Sequence, residues 1–378
     1  MDIYKFGGSS FATAERIKQV FFDIKDVKKC VIVLSAVGKI DNNDIKLTDL
    51  LIDVCKKRRK STKQAKKTVN RIRRKMFNIG KELDLPDSYF RSFNEFLSDI
   101  DLYDDNYIIS RGEYFTCKMF SLYTGIKFID SMELIKFDNE FFSYEKTKKE
   151  VLRIKLEKFI TSGFYGSDNY GNIVLFPRGG GDITGSILAN IFQSKTYFNC
   201  TDVNGVYTIP PDYSINHETV NQMNYSQLFY LCMHGNNVFS KDAIPYLVGR
   251  KISLIIKNSL DFNAPFTIVS DNLPNNKFTT TQVEKGLYCI IIYKSKKTLL
   301  FRILYQILQI IMSDKIIIYD IISTQKLCQI IYKTNKQIHL ELSPVTSKYY
   351  SLQKLTAIRT TNFLNGKKNT SVKYVTSN

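Results

Sequence analysis

Ile3, Tyr4 and Phe6 make a short apolar strand that runs directly into Gly7 and Gly8, and an amphipathic helical pattern follows over residues 11–27. A strand, a glycine turn and a helix in that order commit this part of the chain to an α/β unit. The glycines allow a tight reversal and let backbone N–H groups approach an oxygen closely, while the positive end of the helix dipole faces the turn. Lys5 adds a full positive charge at the same place. The segment Lys5-Phe6-Gly7-Gly8-Ser9-Ser10 therefore points to a bound phosphate, and phosphoryl transfer is the leading expectation. Its spacing is not that of a P-loop, and an ordinary strand-to-helix turn is the bland alternative.

The alternation continues along the chain. Strands are expected at 3–6, 31–35, 127–130, 173–177, 196–199 and 253–257, with helices at 13–26, 48–59, 88–97, 114–124, 145–161, 184–193, 225–234 and 241–249. That order predicts an α/β fold over residues 1–270, an αβα sandwich with a mainly parallel sheet, whose ligands sit at strand ends. A polar stretch at 271–282 marks a boundary. Residues 283–345 then predict a strand at 288–293, a helix at 298–312 that is polar along one narrow edge, and strands at 315–322, 329–333 and 337–342. Residues 346–378 read as a polar tail.

Lys and Arg number 54 against 36 Asp and Glu, a formal charge of +18 that invites a polyanion partner. The usage is also rich in Lys, Asn, Ile, Tyr and Phe, with no Trp, which AT-rich coding produces by itself. The densest basic run, 56–75, contains no aromatic residue on which a base could stack. It is expected to be a solvated helical face, and no nucleic-acid partner is predicted. Seven cysteines, at 30, 55, 117, 200, 232, 289 and 328, show no C-x-x-C spacing and suggest reduced thiols in a cytoplasmic protein. No leader pattern precedes the first strand. The most apolar stretch, 287–312, is interrupted by Lys294, Lys296, Lys297 and Arg302, so no membrane span is expected.

Four further segments accompany the glycine turn: Val31-Ile32-Val33-Leu34-Ser35-Ala36-Val37-Gly38-Lys39, Ile109-Ser110-Arg111-Gly112-Glu113-Tyr114, Pro177-Arg178-Gly179-Gly180-Gly181-Asp182-Ile183-Thr184-Gly185, and Thr201-Asp202-Val203-Asn204-Gly205-Val206-Tyr207. In order and spacing they resemble the motifs of the aspartate kinases, members of the amino acid kinase family. The stretch from Ser35 to Leu51 looks like that of the clostridial subgroup. The resemblance runs from Lys5 to about Val269. It also makes the strand, helix, strand, strand order of 283–345 similar to a regulatory ACT domain of ferredoxin-like type.

The resemblance implies transfer of the ATP γ-phosphate to the side-chain carboxylate of L-aspartate, the first step of lysine, threonine and methionine biosynthesis. Lys5 would neutralise the moving phosphoryl group. Gly7, Gly8 and Ser9 would hold phosphate oxygens beside Ser35, and Thr201, Asp202 and Tyr207 would lie against base and ribose. Glu113 and Arg178 would take the two ionic ends of aspartate, with Thr48, Gly179 and Gly180 closing on it. Asp182 would organise the lysine and the Mg²⁺ that accompanies ATP. A homodimer is the implied assembly. For Glu113 a helix-start glutamate, for Arg178 a surface arginine, for Asp182 a plain helix cap, and for Asn204-Gly205 a β-turn are the structural alternatives.

Departures from the family pattern stand beside these matches. After Thr208 the family usually reads Ala-Asp-Pro-Arg, whereas here Ile209-Pro210-Pro211-Asp212 follows. Gly181 stands where Ser or Thr is common, Ser240 where His is frequent, and Phe266 in place of a glycine. Losing one charged phosphate contact is expected to weaken ATP binding about 30-fold. A divergent, weakly active or non-catalytic relative with a regulatory role is thus the alternative to an active aspartate kinase. A sister enzyme acting on glutamate is a further one.

Overall fold

The computed structural model describes residues 1–177, 179–209, 218–234, 236–273, 278–293, 317–323, 327–333, 350–364 and 367–376. From 278 onward the description concerns backbone and strand pairing. The chain divides into two compact units, one of Met1–Tyr207 with Glu218–Asn276, the other of Thr208–His217 with Lys277–Asn378.

The first unit is built on an eight-stranded sheet. Its strands are β1 (Asp2–Phe6), β2 (Cys30–Leu34), β3 (Phe128–Ile129), β4 (Lys158–Ser162), β5 (Thr196–Thr201), β6 (Gln222–Met223), β7 (Ser253–Asn258) and β8 (Thr267–Val269). Their spatial order is β6-β8-β7-β5-β1-β2-β4-β3. From β7 to β3 every pair is parallel, and β8 turns back antiparallel on β7. All five residues of β2 are buried, as a strand covered on both faces requires. The chain runs from β1 to β2, goes out to the edge at β3, comes back to insert β4 between β2 and β3, and then lays β5 on the other side of β1. Lys5 pairs in register with Val33 on one flank and with Asn199 on the other. Such a reversal leaves a crevice beyond the carboxyl ends of the strands.

Helices α1 (Ala14–Ile24), α2 (Leu47–Arg58), α3 (Thr62–Glu82), α4 (Asp87–Ser98), α5 (Asp105–Thr124), α6 (Tyr144–Leu152), α7 (Gly180–Ile191) and α8 (Tyr225–Met233) accompany the sheet. The α1 helix starts late, after a 3₁₀ turn over Gly8–Phe11, because Thr13 accepts the Arg16 amide and fixes the cap there. Tyr89, Phe93 and Phe96 of α4 pack against Phe115 of α5 at ring distances of 6.3, 4.7 and 5.4 Å, which anchors α5 in the core. Much of the basic run is engaged within the unit: Lys57 meets Asp53, Arg58 and Arg59 share Asp105, Lys75 meets Asp44, and Arg73 is held by Asn70 and Asn94.

Four expectations need correction. The helix predicted over 145–161 stops at Leu152, and 158–162 becomes the sheet strand β4, whose Phe159 to Ser162 are buried. The segment predicted as a sheet strand at 173–177 instead forms a separate hairpin, Ile173–Leu175 on Tyr165–Ser167. The helix predicted from 114 begins nine residues earlier at Asp105, capped by Asp104, so the Ser110-to-Glu113 motif lies inside a helix rather than at its start. Residues 241–246 are a 3₁₀ turn rather than a full helix.

The second unit contains one antiparallel sheet, built of Phe278–Tyr293, Ile317–Ser323, Leu327–Lys333, Tyr350–Leu364 and Lys367–Thr376. The long first strand lies between Leu327–Lys333 and Tyr350–Leu364. Its threonine-rich opening falls in the stretch expected as a boundary, and Tyr350–Leu364 and Lys367–Thr376, within the stretch expected as a polar tail, pair as strands. The helix predicted at 298–312 and the strand predicted at 337–342 lie outside the described residues. Among the described residues no helix is long and apolar enough to cross a membrane.

Candidate active site

The crevice at the carboxyl end of β1 is assembled from three glycine-bearing turns. In the first, the Gly7 amide donates to the Cys200 carbonyl at 3.1 Å, which ties the turn to the end of β5 and commits that N–H to the protein. The amides of Gly8 and Ser9 open the following helical turn, where the first N–H groups have no partner within the turn. Arg16 reaches back from α1 and donates to the Ser9 carbonyl at 3.1 Å.

The second turn follows β2. The Ser35 amide donates to the Phe6 carbonyl at 3.2 Å, and the Gly38 amide to the Gly8 carbonyl at 2.8 Å. A Cβ on Gly8 would lie 2.5 Å from the Ala36 carbonyl oxygen, so only glycine allows the two turns to meet.

The third turn opens α7. Gly179 caps the helix with φ 85°, a conformation that favours glycine. A Cβ on Gly181 would stand 3.2 Å from Ser35 Oγ and 3.3 Å from Lys5 Cε, and a Cβ on Gly163, just past β4, would stand 2.7 Å from Gly181 Cα. Backbone of α7 thus lies directly against the ends of β1, β2 and β4. Asp182, in the first turn of α7, reaches Lys5 with Oδ1–Nζ 2.7 Å, both side chains being nearly buried. The Ser240 amide donates to Asp182 Oδ2 at 3.0 Å. Asp182 is therefore more than a helix cap.

Glu113 projects from the middle of α5 and is buried. Burial pushes its carboxyl up to about 8, against the opposing pull of the Ala36 amide, the Thr48 hydroxyl and the Arg111 guanidinium. Its Oε2 atom is buried without a hydrogen-bond partner. Glu113 and Thr48 thus lie beside Ala36, in the turn after β2 whose carbonyl packs against Gly8 of the first turn. A buried carboxyl oxygen left without a partner is costly, and a cationic ligand group would supply the donor it lacks. The expected helix-start role of Glu113 does not apply, since eight residues of α5 precede it.

At the end of β5, one residue past the Cys200 that holds Gly7, Thr201 donates to Asp202 Oδ1 at 3.2 Å. The Tyr207 hydroxyl accepts the Asn204 amide at 3.0 Å, and Gly205 turns at φ 105° against Thr267. Thr201 thus adjoins the glycine turn through Cys200, and Asp202 and Tyr207 lie on the loop that follows β5. Arg178 and Asp212 lie outside the described residues. Sequence reasoning missed Gly163, Arg16 and the Ser240 amide. Only Gly163, immediately after Phe159-Ile160-Thr161-Ser162, left a readable mark.

The arrangement combines a lysine ammonium beside a glycine turn, an orienting carboxylate, and a buried glutamate awaiting a donor. Residues 3–258 match the amino acid kinase family. The chain is similar to aspartokinase 3 of Bacillus subtilis, at 29% identity over 318 residues, 78% of this chain and 69% of that protein. It is also similar to the aspartokinase of Chlamydia pneumoniae, at 26% over 275 residues, 68% of this chain and 60% of that one. In architecture it resembles the crystal structure of Clostridium acetobutylicum aspartate kinase, with a TM-score of 0.76 at 24% identity, covering 96% of this chain and 87% of the other. The same coverage holds for Escherichia coli aspartokinase III in complex with lysine and aspartate, with a TM-score of 0.78 at 18% identity.

Proposed function

The chain belongs to the amino acid kinase family, and on that premise we infer that it is an aspartate kinase, which moves the ATP γ-phosphate onto the side-chain carboxylate of L-aspartate to give 4-phospho-L-aspartate. The observation that carries the choice of an amino-acid substrate is the partnerless Oε2 of Glu113, buried next to the phosphate turns. An α-ammonium is the donor that such an oxygen lacks. Relatives named as aspartokinases support the same choice.

The chemistry asks little beyond positive charge and alignment. A substrate carboxylate with a pKa of about 4 is ionised at neutral pH, so no general base is required, and the barrier is largely repulsion between two anions. Lys5 offsets that repulsion at the transferring group, while Asp182 holds its ammonium in place. The Gly8 and Ser9 amides hold phosphate oxygens, with Ser35 lining the same wall and Gly7 shaping the turn through Cys200. Glu113 receives the α-ammonium and ionises as it does so, Thr48 supports it, and Arg178 takes the α-carboxylate as Gly179 and Gly180 close on the substrate. Base and ribose lie along Thr201, Asp202 and Tyr207.

Asp182 is a hard oxygen donor at the right edge of the crevice, and among the described residues no group of three His, Cys, Asp or Glu could hold a metal by itself. That donor set fits Mg²⁺ arriving on the phosphates, with Asp182 as its protein contact. When bound, the ion withdraws charge from the phosphate oxygens.

The enzyme is assigned to the cytoplasm and to the opening step of lysine, threonine and methionine synthesis, with a homodimer as the form expected in sedimentation. A hydroxylamine trap tests the function. Aspartyl hydroxamate formed from ATP and aspartate, with none from glutamate, is the expected result. Product from glutamate alone identifies a sister enzyme, and no product from either acid leaves a non-catalytic relative.

A further inference from the structure

We propose that Ser240 is a positioning residue for phosphoryl transfer and that it works through its backbone amide, with its hydroxyl incidental; the proposal rests on the kinase activity inferred above. Asp182 is gripped at both oxygens, Oδ1 by Lys5 Nζ at 2.7 Å and Oδ2 by the Ser240 amide at 3.0 Å. With only the first contact, the carboxylate could turn about its last bond and carry the ammonium with it. The second contact removes that freedom.

The loop that presents the amide is itself fixed to the strand beside Lys5. Asn199, the register neighbour of Lys5 on β5, is buried and donates from Nδ2 to the Val238 carbonyl at 3.2 Å. On the far side, Ser240 initiates a 3₁₀ turn and its carbonyl accepts the Ala243 amide at 3.1 Å. The contacts close a ring: Lys5 to Asp182, Asp182 to Ser240, then along the loop to Val238, Asn199 and back to Lys5 through the sheet. Ser240 also packs on the turn that opens α7, for a Cβ on Gly179 would lie 2.7 Å from both Cβ and Oγ of Ser240. An amide is present whatever the side chain, so the grip survives where serine replaces a larger residue.

Ser240→Pro removes the N–H, and the Ser240 φ of −75° suits proline. The expected result is a kcat for aspartyl hydroxamate roughly 10- to 100-fold lower, with KM for aspartate within about threefold. Ser240→Ala, which keeps the amide, returns the rate to within about threefold of the parent. The Asp182→Ala and Ser240→Pro losses do not add, because one acts through the other. A readout free of turnover follows Lys5 itself: its acetylation by an N-hydroxysuccinimide ester, read by peptide mass spectrometry at a temperature where both variants remain folded, accelerates equally in Ser240→Pro and Asp182→Ala. Equal loss in Ser240→Ala, additive losses, or parental rate and labelling in Ser240→Pro would overturn the proposal. Should the proline variant not fold, amide exchange in Asp182→Ala decides. Lost protection at Ser240 supports the link, and unchanged protection refutes it. An unmodified enzyme that forms no hydroxamate refutes the kinase activity, while the labelling result still judges the link between Ser240, Asp182 and Lys5.

Discussion

Gly38 donates its amide to the Gly8 carbonyl at 2.8 Å, and the two stand so close that a Cβ on Gly38 would lie 2.3 Å from the carbonyl carbon of Gly8. Each turn is the mould of the other. Gly38→Ala forces them apart and shifts the Gly8 and Ser9 amides by a fraction of an ångström or more. A fall in kcat/KM for ATP of roughly 100-fold is expected, with circular dichroism unchanged. Parental kinetics in this variant would show that the turns can separate without consequence.

Lys5→Ala takes the cation from a nearly buried pair. Removing a preorganised charge from the transferring group is expected to lower kcat by about 10³-fold. Urea unfolding is expected to show a loss of about 3 kcal/mol, because Asp182 is left as an unpaired charge in the interior. Combining Lys5→Met with Asp182→Asn recovers stability without recovering turnover. Full turnover in Lys5→Ala would remove this lysine from the mechanism.

Glu113 links stability to pH with an unusual sign for a carboxyl group. In the folded protein it keeps its proton up to about 8, whereas in the unfolded chain it loses it near about 4.3. Between those values unfolding releases a proton, so this group's contribution to stability declines as pH rises and is gone above the folded value. Glu113→Gln is expected to gain on the parent across that window, by about 2 kcal/mol at its upper end. Parallel Tm profiles for the two proteins would contradict the burial argument.

The same group ties substrate binding to proton release. Neutral at pH 7 in the free enzyme, Glu113 ionises when an ammonium arrives. Calorimetry of aspartate binding in buffers of differing ionisation enthalpy should show close to one proton released, and KM for aspartate should fall as pH rises from about 6 to about 8. Binding without proton release would place the ammonium elsewhere.

Much of this was legible in the residues, and the exceptions share a cause. The run from Val31 to Leu34 was readable as a strand, Lys5 and Ser35 as polar groups at strand ends and Asp182 as one at a helix start, whereas Glu113, read at a helix start, lies in mid-helix. The β4 strand was hidden because Phe159 and Ile160 continue the apolar spacing of the helix before them, so period alone could not separate the two. The α5 start was hidden by Gly112, a poor helix residue whose missing Cβ is required where Ala36 approaches. Residues 278–281 and 350–376 looked like polar linker and tail, yet their threonines, valines and tyrosines suit strands as well as solvent. The Ser240 contact left no trace at all, since a backbone amide has no side-chain signature.

Lys5 sits on a strand whose two neighbours come from widely separated parts of the catalytic unit, β2 early in the chain and β5 after α7. Its surroundings therefore do not exist in any early part of the polypeptide. A growing chain can complete the glycine turn and the contact with Val33 long before Asn199 emerges, but the ammonium gains its carboxylate only when α7 has crossed over and β5 has docked. Competence to bind nucleotide should consequently appear last in refolding, after most helical signal has returned, and a fragment ending ahead of Asn199 would carry the motif without the pocket.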